Sequence, residues 1–304
     1  MKIKNNVSVT LVESGYKFII TPPLDENGQV PKWAKPKKIM SRNVPELLGL
    51  NRYNSIGKAV LDRMCALQKE FIDPFYTVRG AVGEYVARLE LERRYGEKEI
   101  NTTMQGFTTE GEGFDMFKDN PKFGGVIDIL ATEPSNAVIE VKSKDNSKWV
   151  EIADIGKYPE EEVMQGKTLA YLIQAPTATM AYVFTSNDCE KKLKEYVEKK
   201  RHLIWQKDES GELLRNEETG KALPPLTKSG EQVIKELGLT LRDFTYKFKS
   251  FPINREEVRE QLEQAYQTYM ELSNHQQNKF TIPVDKFTKY EIQDLEKFRK
   301  GDQQ

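Results

Sequence analysis

Three charged residues stand inside two short apolar segments of this chain. Asp128 interrupts the apolar run at 124–130, and Glu140 and Lys142 interrupt the run at 137–142. Buried charges are costly unless they are paired or bind a metal ion. Glu140 and Lys142 are two residues apart, so on a strand both side chains point to the same face. The pattern indicates either a metal-assisted hydrolytic centre or a structural salt bridge of Lys142 with Glu140 or Asp128.

The hydrolytic interpretation has a definite chemistry. Two carboxylates and a backbone carbonyl make an oxygen-rich site that suits Mg²⁺ or Mn²⁺. Lys142 would then orient an attacking water and stabilise the charge of a phosphorane-like transition state. One or two metal ions would activate the water and neutralise the leaving oxygen. Gly124 and Gly125 precede the first segment and would let a ligand or another backbone come near, which favours catalysis over the salt bridge.

A hairpin and a helix are the elements that must position these groups. The two apolar runs are separated by a turn-like segment at 131–136, which predicts an antiparallel hairpin with Asp128 close to Glu140 and Lys142. A helix predicted at 159–174 places Gln165 on an apolar face, where an amide needs a partner. That partner is either a backbone group or the predicted site.

A further helix, predicted at 77–95, has two unlike sides. One is an apolar stripe, and the other carries the small residues Gly80, Gly83 and Ala87. Small residues permit close approach of another element or a ligand. Glu84 lies next to this small side, where another element or a ligand could approach its carboxylate.

The rest of the pattern predicts the overall organisation. A hairpin is expected at 3–22, a loop at 22–38, two short helices within 43–71, strands at 179–185 and 244–251, and a long helix at 254–274. We expect an N-terminal hairpin and loop at 1–38, a core at 39–275 with a charged helical excursion near 190–243, and a polar C-terminal tail at 276–304. No internal repeat is present.

Composition excludes several kinds of protein. Among 304 residues there are 2 cysteines and 2 histidines, too few for a four-cysteine zinc or iron–sulfur site or a histidine-rich metal hydrolase. Lys+Arg 46 against Asp+Glu 47 gives a net charge of -1, so any nucleic-acid surface must be local. We find no signal-peptide stretch and no apolar run long enough for a membrane span, and expect a cytoplasmic protein.

Several segments together resemble a known family. They are Arg79-Gly-Ala-Val-Gly-Glu84, Gly125-Val-Ile-Asp128, Ile139-Glu-Val-Lys-Ser143 and Gln165, preceded by Ser41-Arg-Asn-Val-Pro-Glu-Leu-Leu-Gly-Leu50. Their order is similar to that of viral recombination nucleases in the PD-(D/E)XK superfamily, of the YqaJ-type and lambda-exonuclease-like branch. The resemblance covers about residues 40–273. It implies an α/β restriction-endonuclease-like core with a central mixed sheet flanked by helices.

The resemblance also implies residue roles. Asp128 and Glu140 would bind the metal together with the carbonyl of Val141, and Glu84 would be an accessory metal carboxylate. Lys142 would act on the water. Gln165 would occupy the position of the family's glutamine, although Leu169 stands where the family often has a tyrosine, and Tyr171 is two residues further on.

Contacts with DNA are predicted around the same segments. Lys144 and Lys148, with Trp149 following, would continue from Lys142 as a basic strip with an aromatic platform. Ser143 and Arg79 complete the predicted set. The alternative is an ordinary solvated loop with a partly buried tryptophan.

The implied activity is that of a Mg²⁺- or Mn²⁺-dependent deoxyribonuclease. The expected role is a 5′–3′ exonuclease on double-stranded DNA ends in phage or viral recombination or replication, encoded by a phage or prophage in a bacterial host. Alternatives are a structure-specific or defence endonuclease, and a non-catalytic DNA- or partner-binding protein with a nuclease-like fold. A single-strand annealing protein and further copies of the chain, as in trimeric relatives, are the partners that the resemblance implies.

Overall fold

The fold is described from a computed structural model of the chain. It describes residues 3–4, 7–12, 17–30, 35, 37–64, 66–67, 73–96, 100–102, 115–131, 137–216, 220–223, 225–274 and 279–299. The Ser14-Gly15 turn of the predicted first hairpin, the predicted turn at 132–136, Cys65 and His275 lie outside these ranges.

Helices and short strands alternate along the chain. The strands are β1 (Ser8–Val12), β2 (Lys17–Thr21), β3 (Ile39–Met40), β4 (Ile100–Thr102), β5 (Phe123–Gly124), β6 (Ile129–Ala131), β7 (Ala137–Asp145), β8 (Thr177–Thr185), β9 (Leu203–Ile204), β10 (Leu226–Thr227), β11 (Phe244–Pro252) and β12 (Phe280–Pro283). The helices are α1 (Val44–Leu47), α2 (Ile56–Arg63), α3 (Pro74–Tyr95), α4 (Glu160–Leu172), α5 (Asn187–Glu198), α6 (Gly230–Leu237), α7 (Arg255–Ser273) and α8 (Lys289–Arg299).

A five-stranded mixed sheet forms the centre, in the order β11-β8-β7-β6-β4. Strands β7 and β8 pair in parallel over their whole length, and the other neighbours are antiparallel. A parallel pair needs a crossover connection, and α4 supplies it between β7 and β8. The predicted α/β class with a central mixed sheet and flanking helices is therefore confirmed.

The two faces of the sheet bury different helices. Ile139 and Val141 of β7 join the apolar cluster of α3, α5 and α6. Val138 instead packs with Leu169 and Ala170 of α4. Because strand side chains alternate between faces, the odd-numbered residues of β7 face α3 and the even-numbered ones face α4. Glu140, Lys142 and Lys144 thus share the α4 face.

Both ends of the chain meet in a second, smaller sheet of order β1-β2-β12. The predicted antiparallel pairing of the first two strands is confirmed. The segment 276–304 is not only the polar tail that we expected, since β12 pairs with β2 and α8 packs against β1. Phe280, Ile282 and Leu295 supply the buried apolar side chains that hold these elements in place.

The expected strand at 124–130 is interrupted. Phe123 and Gly124 pair in parallel with β3, and the chain rejoins the central sheet only at Ile129. The other predicted strands and helices of the core are present with ends shifted by a few residues.

None of the helices in the described part of the chain combines the length and the apolar character that crossing a lipid bilayer requires.

Candidate active site

The β6–β7 hairpin brings the first two predicted site residues together. Its register pairs Ile129 with Ile139, which places Asp128 just beyond the end of β6. The backbone N–H of Val141 donates to Asp128 Oδ2 over 2.8 Å. This bond fixes the Asp128 carboxylate beside β7, between the positions of Glu140 and Lys142.

Glu140 and Lys142 form a salt bridge on the α4 face of β7. Lys142 Nζ lies 2.8 Å from Glu140 Oε1, and Glu140 is 3% exposed. The ion pair that we considered as the alternative to catalysis is therefore present. It does not satisfy the acid, however, because Glu140 Oε2 is buried without a hydrogen-bond partner among the described residues. A buried, unpartnered carboxylate oxygen is unfavourable unless a ligand or cation meets it.

Helix α4 delivers Gln165 to the same lysine. Gln165 Oε1 accepts a hydrogen bond of 3.0 Å from Lys142 Nζ, so the glutamine finds its partner in a predicted catalytic side chain rather than in the backbone. The close approach depends on Gly166. A Cβ at Gly166 would lie 3.1 Å from Met180 Sδ and 3.7 Å from Glu140 Cβ.

Helix α3 brings Glu84 to the group from the opposite face of the sheet. Strand β6 pairs only with residues 137–139 of β7, so the edge of β7 beside Glu140 has no β6 partner. The small side of α3 packs closely there, since a Cβ at Gly83 would lie 2.9 Å from Ser143 Cβ. Glu84 thereby comes within electrostatic range of Glu140 and Lys142.

The charges of the site are unbalanced. Burial raises the pKa of Asp128 well above its usual range, and the charges of Glu140 and Glu84 raise it further. Burial and then Glu140 also raise the pKa of Glu84. For Lys142, burial opposes the charged form, but Glu140 and Asp128 outweigh it and raise the pKa of the ammonium group. Three carboxylates therefore face one lysine that stays protonated.

The donor set has the chemistry of a site for a hard divalent cation. Carboxylate oxygens are what Mg²⁺ and Mn²⁺ prefer, acidic groups outnumber basic ones in the site, and Glu140 has an unpartnered oxygen among the described residues. Among the described residues no three acidic, histidine or cysteine side chains converge as a ready-made metal cluster, because Glu140 is turned to Lys142 and Asp128 to the Val141 amide. The residues fit such an ion in chemistry and in charge.

Two of the predicted DNA contacts point into the protein. Arg79 Nη1 pairs with Glu190 Oε1 at 2.8 Å, and the guanidinium lies 5.3 Å from the ring centre of Phe75. Ser143 faces Gly83, and its Oγ is buried without a hydrogen-bond partner among the described residues. Both residues are only partly exposed, and their described contacts are with α3 or its neighbours rather than with open solvent.

The other three predicted contacts lie nearer the surface. Lys144 Nζ is 2.5 Å from Glu162 Oε1, and both side chains are partly exposed. Lys148 is exposed and pairs with Glu151 at 3.2 Å. Trp149 is half-buried and packs edge-to-face on Phe184, with ring centres 5.1 Å apart.

Sequence reasoning missed the role of Glu162. An acidic residue in the first turn of α4 is favourable because of the helix dipole. Glu162 also pairs with Lys144 and contributes to the raised pKa of Lys142. The spacing of Glu162 and Gln165, three residues apart on one helix face, was the available signal. The close approach expected at Gly124 and Gly125 is present, and other parts of the chain make it. Gly124 pairs with β3, and the backbone N–H of Met116 donates to the carbonyl of Gly125. Side chains of Asp115 and Leu169 fill the space beside the two glycines.

None of the known family models matches the chain, and no curated protein matches it by sequence. Solved structures do resemble it. One is an alkaline exonuclease from Laribacter hongkongensis, with 13% identity, a TM-score of 0.42 and coverage of 79% of this chain and 90% of that chain. The same exonuclease in complex with dAMP gives 13% identity, a TM-score of 0.43 and coverage of 77% and 86%. A phage related exonuclease from Haemophilus somnus 129PT has 14% identity and a TM-score of 0.41, with coverage of 76% of this chain and 93% of that chain.

Proposed function

We propose that this protein is a metal-dependent DNA nuclease that hydrolyses phosphodiester bonds. The observation that supports it best is the group of Glu84, Asp128 and Glu140 around a single protonated Lys142. An excess of buried carboxylates with a lysine at their centre suits a divalent cation and a phosphate that approach together.

The chain's own residues have distinct tasks in this proposal. Asp128, Glu140, Glu84 and the carbonyl of Val141 would hold Mg²⁺ or Mn²⁺. When bound, such a cation lowers the pKa of a water ligand and neutralises phosphate oxygens. Lys142, already protonated, donates hydrogen bonds to the attacking water or to the oxygen on which negative charge develops. Gln165 keeps the Lys142 ammonium group in place through its 3.0 Å hydrogen bond.

The preferred role is a 5′–3′ exonuclease on duplex ends in phage or viral recombination, and it rests on the family resemblance of the motifs. The geometry of the hydrolytic group is equally compatible with an endonuclease. An end-requiring enzyme differs from an endonuclease in its substrate, since covalently closed circles offer no end.

Digestion of end-labelled linear duplexes and covalently closed circles tests the proposal directly. With Mg²⁺ or Mn²⁺ we expect mononucleotides from linear DNA and intact circles, and with EDTA no products. Conversion of the circles to linear DNA would show that the enzyme is an endonuclease rather than an exonuclease. Absence of both cleavage and divalent-metal binding would overturn the enzymatic proposal and favour a non-catalytic DNA- or partner-binding protein.

A further inference from the structure

A cavity of about 490 Å³ opens where β11 begins, and none of the proposed catalytic residues lines it. Its walls come from α3, from the turn after β7 and from the start of β11. The lining residues used below are Glu90, Arg93, Trp149, Arg242, Phe244 and Tyr246.

Arg93 is held rigidly at one wall of this cavity. Glu90, which is fully buried, accepts hydrogen bonds of 2.9 Å from Arg93 Nε and 2.8 Å from Arg93 Nη2. Tyr246 lines the cavity beside this pair. Arginine has five N–H donors, so part of the guanidinium group remains for a ligand, and 64% of the Arg93 side chain is exposed. The result is a preoriented anion-binding group.

The lining has an excess of positive charge. Arg242 is exposed at the start of β11, so two arginines face the opening while the only carboxylate among the six residues named above, Glu90, is buried beneath them. A guanidinium that is fixed in advance loses little freedom when it binds a phosphate. The charge and geometry therefore favour an anionic ligand.

Aromatic rings supply the remaining wall. Trp149 is held by its edge-to-face contact with Phe184, at an interplanar angle of 74°. Tyr246 lies at the same opening, and Phe244, which is buried, also lines the cavity. A ligand that satisfies both arginines and aromatic walls must join an anion to a flat apolar body, which is the chemistry of a nucleotide with an unstacked base.

We propose that this cavity binds an unpaired nucleotide of a single-stranded segment, with its base against Trp149 and its phosphate at Arg93 and Arg242. The inference rests on the proposed function, which supplies the nucleic acid. Trp149 ends the basic strip that begins at Lys142 and includes Lys144 and Lys148. The cavity therefore lies at the end of this strip that is farther along the chain from Lys142.

Binding of fluorescein-labelled oligo(dT), measured by anisotropy in EDTA so that no cleavage occurs, tests the cavity. Trp149→Ala should raise the Kd about tenfold for oligo(dT), because a base–aromatic contact is lost. For an abasic oligonucleotide of the same length the Kd should change little. Arg242→Ala should reduce the slope of log Kd against log salt by about 0.7, as expected for one phosphate contact on a single strand. Arg259→Ala, an exposed arginine on α7, is the matched control and should leave both quantities unchanged.

The outcomes separate the cavity from the catalytic proposal. Equal affinity of the wild type for oligo(dT) and its abasic counterpart, or wild-type binding by both Trp149→Ala and Arg242→Ala, overturns the cavity even if duplex DNA is cleaved. A base preference that Trp149→Ala loses, together with a salt slope that Arg242→Ala reduces, supports the cavity even if no cleavage is found. Failure of the wild type to bind oligo(dT) at all also overturns it.

Discussion

Two acids of helix α3, Glu84 and Glu90, are six residues apart and lie in opposite surroundings. Glu84 faces other carboxylates, and burial together with Glu140 raises its pKa. Glu90 is fully buried, but hydrogen bonds from Arg93 and Arg94 lower its pKa to about 2. The middle of the helix thus has acidic groups in excess of basic ones, and its C-terminal part has arginines in excess of acids. An unequal number of acidic and basic side chains favours a ligand of the opposite charge. This favours a cation near Glu84 and an anion near Glu90.

The largest effect should follow from removing charge near Glu84, at Asp128, Glu140 or Lys142. We expect Asp128→Asn, Glu140→Gln and Lys142→Ala each to lower cleavage of linear duplex DNA by about a thousandfold, since groups that stabilise developing charge contribute at that level. Glu195→Gln, on the exposed side of α5, is the control and should retain activity. Retention of full activity by Asp128→Asn and Lys142→Ala would show that the hydrolytic group lies elsewhere.

A divalent cation should stabilise the wild type by relieving the repulsion around Asp128. At a hundredfold excess of Mg²⁺ over its Kd the free energy of unfolding should rise by about 2.7 kcal/mol, as measured by urea titration, and it should not rise in Asp128→Asn. Protons compete with the metal, so the effect should shrink at weakly acidic pH. Carboxyls with a raised folded pKa destabilise the metal-free protein as pH rises towards that pKa. The metal-free wild type should therefore lose stability, relative to Asp128→Asn, as pH rises above the ordinary value of 3.8.

Removing the charge of Glu90 should instead lower the stability of the protein, because this acid is paired with arginines. Glu90→Gln should lower the free energy of unfolding by about 2 kcal/mol at neutral pH, because a buried charged acceptor loses its arginine partners. Glu92→Gln removes a partly exposed pair with Arg88 and should cost less than about 0.5 kcal/mol. The folded pKa of Glu90 is depressed, so its contribution is present above the ordinary value of 4.5 and lost as pH falls towards about 2. A difference between wild type and Glu90→Gln that does not vary across this range would contradict the ion cluster.

The smallest effects concern how closely α3 must approach the sheet. A Cβ at Gly83 would lie 2.9 Å from Ser143 Cβ, whereas at Gly80 it would meet nothing within 4 Å. Gly83→Ala should destabilise the protein by about 1 kcal/mol through overpacking and should also lower activity by displacing Glu84. Gly80→Ala should stabilise α3 by about 0.5–1 kcal/mol, since glycine is unfavourable inside a helix. Thermal unfolding of the two variants side by side decides this, and equal behaviour would contradict the packing.

Local pattern was sufficient for most of the site. Asp128, Glu140 and Lys142 could be predicted because a hairpin needs only neighbouring segments and strand side chains alternate. Gln165 could be predicted because helix periodicity sets its face. What local pattern could not give is pairing between distant segments. Arg79 pairs with Glu190 far along the chain.

The same limit explains the errors in the fold. Strand β12 completes a sheet with β2 from the other end of the chain, so a polar composition alone made its segment look like a tail. Gly124 leaves the central sheet because its partner is β3. Each of these depends on a contact that no window of sequence contains.

Strand β7 is held between two glycines, with Gly83 against Ser143 on one side and Gly166 against the Glu140 position on the other. Neither glycine has a side chain that could touch a substrate. In a saturation mutagenesis screen for loss of activity, side chains larger than alanine at both positions should nevertheless lower activity. Such a screen would therefore mark more positions than those that take part in the reaction. The additional positions would be the ones where a helix packs closely on β7.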